Sequence, residues 1–152
     1  MTMNKLMLSA LASLLLVAQT GCHQRASVEA PSDFAVLEAT DAYDYRAANA
    51  SGVVLAVRAE QNDPRGSLDF WSKALSHQLT KAGYTQTSSE KITSNGGLVG
   101  RRLSYETERR GRKHLYVASV FVTPDKVFVV EAGGDEAYFD QQTKESIDRA
   151  VS

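Results

Sequence analysis

Apolar and polar residues alternate with a period of two through Val53, Leu55, Val57 and Ala59, which sets one face of a strand against a core. Residues 43–47 form the other arm of a hairpin, because Asn49-Ala-Ser-Gly52 supplies turn-forming side chains between the two runs. Upstream, residues 34–37 suit a first strand or an edge segment. After Asn62-Asp-Pro-Arg-Gly66, a loop by its turn residues, the period changes. Leu68, Trp71, Leu75, Leu79 and Ala82 fall on one stripe at helical spacing, with Asp69, Lys73, Ser76, His77 and Thr80 away from it. Ser67 is placed to cap this amphipathic helix of about four turns, Asp69 complements its dipole, and Gly83 stops it. Trp71 on the apolar stripe is expected in the core.

Three more strands follow a weakly alternating one at residues 84–92. Ser94-Asn-Gly-Gly97, Arg109-Arg-Gly-Arg112 and Pro124-Asp125 read as the turns between them. The strands at 98–105, 115–122 and 126–132 then make an antiparallel meander. Residues 127–130 are apolar on both faces, as expected of a central strand covered on two sides. Gly133, Gly134 and Asp135 are expected to open a last helix whose buried stripe is Phe139, Thr143, Ile147, Ala150 and Val151. The predicted fold is α+β: a mostly antiparallel sheet with two main amphipathic helices in the order ββαββββα.

The first 21 residues have a different pattern. Lys5 precedes an apolar run from Leu6 to Ala18, too short to span a bilayer comfortably, which ends in small residues before Cys22, the single cysteine. Thr20-Gly21-Cys22 resembles the lipobox of bacterial lipoproteins, although Gln19 stands where most such boxes carry Leu. The resemblance implies cleavage before Cys22 and lipidation of its sulfur. It also implies sorting to the outer membrane in a cell that has one, because His23 is not the Asp that typically retains such proteins in the inner one. Residues 22–33, with Pro31 and no periodicity, read as a linker, and residues 34–152 as a single domain. Two or three acyl chains hold a protein stably where one holds it only marginally, so the expected location is the cell envelope, with no transmembrane helix.

Charge narrows the choice of partners. The 152-residue chain has formal charge −1, and loss of Lys5 with the leader takes it to −2. No overall basic field is present to hold nucleic acid. A lipidated Cys22 leaves no thiol for a disulfide, so packing alone must stabilise the domain.

The helix start Gly66-Ser-Leu-Asp-Phe-Trp71, the Gly83-Tyr84 exit, the Phe121-Val-Thr meander and the strand end Val130-Glu-Ala-Gly-Gly134 resemble small bacterial lipoproteins of the PsbP-like and DcrB-like α/β/α sandwich type. The resemblance covers about residues 38–152. It implies an accessory, assembly or binding factor rather than an enzyme, and no catalytic motif of that group is matched here.

Candidate sites are few. Arg101, Arg102, Arg109, Arg110, Arg112 and Lys113 crowd one predicted hairpin with Glu106 and Glu108 to offset them. Such a cluster either contacts an anionic lipid, an anionic glycan or an acidic envelope protein, or guards a strand edge with charge. Glu131 ends an apolar strand in line with Val127 and Val129. It is expected either to form an ion pair, with Arg58 or Arg101, or to mark a cleft shared with Asn62 and Asp63 that serves a small-ligand carrier or a hydrolase-like enzyme. Phe70 lies off the helical stripe, as an exposed anchor for a partner or as packing under the 62–66 loop. His23, His77 and His114 are dispersed and match no metal-ligand spacing. The glycine-rich stretches lack nucleotide-binding patterns, and no serine sits in GxSxG or SxxK. The sequence therefore predicts no cofactor and no catalytic group, and favours a binding or assembly module.

Overall fold

A computed structural model describes Val28, residues 31–38, Thr40 and residues 42–151. Cys22 and the leader lie outside the described residues. The strands are β1 (Phe34–Val36), β2 (Tyr45–Asn49), β3 (Val54–Gln61), β4 (Thr85–Thr93), β5 (Val99–Arg109), β6 (Arg112–Val122) and β7 (Lys126–Asp135). The helices are α1 (Leu68–Lys81) and α2 (Gln141–Val151), with a 3₁₀ turn at Glu136–Tyr138. All seven strands join one sheet in the order β1-β2-β3-β7-β6-β5-β4, every pair antiparallel. The class is α+β as predicted, with the first strand formed and β7 between β3 and β6.

The two sheet faces bury different side chains. Leu55, Val57, Phe121, Val130 and Ala132 pack with Phe139 and Ile147 of the C-terminal segment, and Val28 joins that cluster. On the other face Ala118, Val120, Val127 and Val129 pack against Leu68, Trp71 and Leu75 of α1. α1 is capped as expected: the Ser67 hydroxyl accepts from the Phe70 N–H at 3.1 Å, and Gly83 takes φ +90° beyond its end. Trp71 is half-buried rather than enclosed. Its indole N–H reaches a buried acceptor while the ring edge stays near the surface.

The last helix starts later than predicted. β7 runs on through Gly133 and Gly134 to Asp135, and α2 begins at Gln141. These glycines serve close packing rather than helix initiation: a Cβ on Gly134 would stand 3.0 Å from Val53 Cγ2 and 3.1 Å from Val53 Cα. The cap of α2 is Asp140, whose carboxylate accepts from the Thr143 N–H at 2.8 Å. β5 and β6 also run closer to their turn than predicted, because Arg110 (φ 54°) and Gly111 (φ 72°) make a two-residue turn with both residues left-handed.

Candidate functional site

Each helix covers only part of its face. α1 lies over β4, β5 and β6 and reaches Val127 and Val129 of β7, which leaves the β3–β2 side of that face open. α2 packs on the core of the opposite face through Ile147, with Phe139 just ahead of it, and a cleft remains between it and the β4–β5 edge. Two open half-faces result, on opposite sides of one sheet.

The first is built around Glu131. Register places Glu131 beside Ala56 and Ala118, Val129 beside Arg58, and Gly133 beside Val54 and Tyr116. Arg58 Nη2 donates to Glu131 Oε1 at 2.6 Å. Glu131 is 7% exposed, so the guanidinium supplies the counter-charge that a buried carboxylate needs. The Tyr116 hydroxyl also gives a hydrogen bond to Glu131. Burial first, then the Glu131 charge and that bond, push the phenol far above its ordinary value of 10.0. At the rim the Arg46 guanidinium carbon lies 5.4 Å from the centre of the Tyr43 ring, a cation–π distance. Tyr43, Arg46, Tyr116, Glu131 and Gly133 line a hollow of about 140 Å³. A groove of about 170 Å³ continues beside α1, between Trp71, Leu75, Val127 and Val129, with Arg58 and Glu60 at its edge.

Of the two partners foreseen for Glu131, the structure supplies Arg58. Arg101 lies two strands away on β5, its Nη1 3.4 Å from the Ser89 hydroxyl. Nor does a cleft join Glu131 to Asn62. Asn62 follows the end of β3, six residues beyond Ala56 and thus about 20 Å along the strand. Instead Asn62 organises its own loop. Its Oδ1 accepts from the Gly66 N–H at 2.8 Å and from Trp71 Nε1 at 2.7 Å, and its Nδ2 donates to the carbonyls of Thr123 at 2.9 Å and Gly66 at 3.2 Å. Phe70 packs at the 62–66 loop, the second of the two readings foreseen for it. It meets Trp71 edge-on with ring centres 5.1 Å apart, lies against Gly66, and remains 50% exposed.

The basic cluster is divided. Arg101 and Arg102 point to opposite faces of β5, seven residues or about 23 Å from the turn for Arg102. At the turn, Arg112 pairs with Asp135 at 3.1 Å, and Lys113 with Glu106 at 2.9 Å and Glu136 at 3.2 Å. Hydrogen bonds to those two carboxylates raise the pKa of Lys113. Arg109 donates to the Tyr84 hydroxyl at 2.8 Å and stacks over its ring, and Arg110 is exposed at the tip. Of the acids that offset the cluster, Glu106 was visible in the sequence, whereas Asp135 and Glu136 come from the end of β7 and the segment after it, far along the chain, so the crowding seen in the sequence could not show them.

The second half-face was not foreseen. Arg102 Nη1 reaches Asp148 of α2 at 2.8 Å, tying the helix to the sheet across a cleft of about 350 Å³. Leu115, Val117, Phe139 and Ile147 form its apolar side, and Ser88, Glu90, Ser104 and Lys144 its polar side. The only signal in the sequence was the alternation of Arg102 and Ser104 with apolar neighbours on β5. Among the described residues no group of three His, Cys, Asp or Glu side chains could hold a metal ion.

No family model matches the sequence, and no curated protein sequence matches it. Solved structures do resemble it in shape. LpqN of Mycobacterium tuberculosis, involved in cell envelope biogenesis, aligns at TM-score 0.68 and 11% identity over 82% of this chain and 79% of its own. The cyanobacterial PsbP of Synechocystis aligns at TM-score 0.54 and 14% identity over 88% and 95%. At these identities the likeness is one of fold, and it is the PsbP-like fold.

Proposed function

We propose that this protein is a cell-envelope lipoprotein, held to the membrane by acyl chains on Cys22, whose domain is a non-catalytic binding or assembly module. The observation that carries the second half of this reading is the state of Glu131. Its hollow, at about 140 Å³, is well below the roughly 300–1,000 Å³ of small-molecule sites, and its carboxylate is already engaged by Arg58 and Tyr116. A carrier or hydrolase built on Glu131 would need space and an unengaged oxygen there. A shallow face with an Arg–Tyr rim suits contact with a folded partner.

Location is supported by the lipobox-like Thr20-Gly21-Cys22 and by a shared fold with LpqN, itself involved in cell envelope biogenesis. Among the described residues no helix is long and apolar enough to cross a membrane, and an acylated cysteine requires none. The acidic residues interleaved at the hairpin favour an envelope protein as partner over a purely anionic glycan or lipid, which would meet Glu106, Asp135 and Glu136 as well as the arginines. Replacing Arg46, Arg110 or Lys73 in turn by a photo-crosslinking residue tests this in cells. Arg46 or Arg110 is expected to yield one defined envelope protein adduct, and Lys73, on the solvent side of α1, none. Equal labelling from all three positions would contradict a specific contact face.

A further inference from the structure

The cleft beneath α2 differs in kind from the face around Glu131. Its volume of about 350 Å³ falls within the range of small-molecule sites, and its walls are chemically divided. Leu115, Val117, Phe139 and Ile147 offer apolar surface, and four charges of both signs face it from the other sides: Arg102 and Lys144, Glu90 and Asp148. Arg102 and Asp148 already form a pair at 2.8 Å. Glu90 and Lys144 take part in no ion pair with another described residue, although Glu90 stands directly across from Arg102 in the β4–β5 register. The Arg102 Nε is buried and makes no hydrogen bond within the described protein.

A ligand must match this arrangement as a whole. A plain hydrocarbon chain would leave the charges unmatched, and a polyanion would be opposed by Glu90 and Asp148. We infer that the α2–β4–β5 cleft binds a small zwitterion with apolar side chains, of the size of an apolar dipeptide. Its carboxylate pairs with Lys144 beside the Arg102 guanidinium, its ammonium donates to Glu90, and its side chains lie on Phe139, Ile147, Leu115 and Val117. Ser88 and Ser104 hydroxyls serve the peptide group between them. Charge-assisted hydrogen bonds of this type are shorter and about twice as strong as neutral ones, which fixes the ligand's direction in the cleft.

Leucyl-leucine titrated into the ¹⁵N-labelled mature chain tests the assignment by NMR. Expected are saturable shifts at Ser88, Glu90, Ser104, Leu115 and Ile147, with affinity reduced about tenfold when the ammonium is acetylated or when Glu90→Gln removes its acceptor. Lys144→Gln should weaken the ligand similarly. Both side chains are exposed, so the unliganded spectra report that the fold is kept. No shifts in the cleft at millimolar dipeptide would overturn the inference. So would acetylated and free dipeptide binding alike, or binding unchanged in a Glu90→Gln, Lys144→Gln double variant. None of these outcomes bears on anchoring at Cys22 or on partner contact at the Glu131 face.

Discussion

Asn62 uses both ends of its amide on one loop, and this single side chain decides how Phe70 and Trp71 are presented. Asn62→Ala would leave the Trp71 indole N–H and the Gly66 N–H without their acceptor. A loss of about 2–3 kcal/mol in urea unfolding is expected, with a red-shifted tryptophan emission as the indole meets water. The loop was legible in the sequence from its turn residues, but the role of Asn62 was not, since Thr123 and Trp71 reach it only after folding. Glu131 was more legible, because its place on an alternating apolar strand required burial and hence a cation. Arg58 is that cation, its side chain 33% exposed. Arg58→Ala is therefore expected to cost about 2–3 kcal/mol, below the full cost of stripping one partner from an enclosed pair. A double-mutant cycle with Glu131→Gln should return a coupling of about 1 kcal/mol or more; additivity would show that the pair does not act as one. Tyr116 gives a pH test. Its folded pKa is raised above 10.0, so its contribution is complete below that value and lost as pH rises beyond it. Alkaline titration of stability should fall more steeply for wild type than for Tyr116→Phe.

Strands and helices were legible to the extent that periodicity carried them. The alternation in β3 and the helical stripe of α1 were both found, and so was the central position of β7, because residues apolar on both sides can only be covered twice. The start of α2 was misplaced because a glycine pair fits two physical demands, helix initiation and close approach, and sequence does not separate them. Here Gly134 lies against Val53. Gly134→Ala should destabilise the domain by about 1–3 kcal/mol, since backbone and a β-branched side chain both stand in the way. The observed cap, Asp140, has its pKa lowered by its bond to Thr143. A depressed carboxylate stabilises the fold fully above its ordinary value of 3.8 and ceases to do so as pH falls below it. Amide exchange in α2 should accelerate in that acidic window, and Asp140→Ala should show the faster exchange already at neutral pH.

For the whole molecule, the sequence indicated two helices and one sheet, yet not which part of each face a helix would cover. That depends on where α1 returns to the sheet edge as β4 and on where α2 lands after β7, both of which are tertiary outcomes. The result is a domain with two open surfaces: a shallow rim around Arg58 and Glu131, and a cleft clasped by Arg102 and Asp148. The chain from Cys22 to Val28, which already packs on the core, spans six residues and so reaches at most about 20 Å. A lipidated Cys22 would thus hold the point where the chain enters the core within that distance of the membrane. Mass spectrometry of the mature N-terminal peptide addresses that tether directly. A first residue Cys22 carrying two or three acyl chains is expected. An unacylated peptide that retains residues ahead of Cys22 would contradict it.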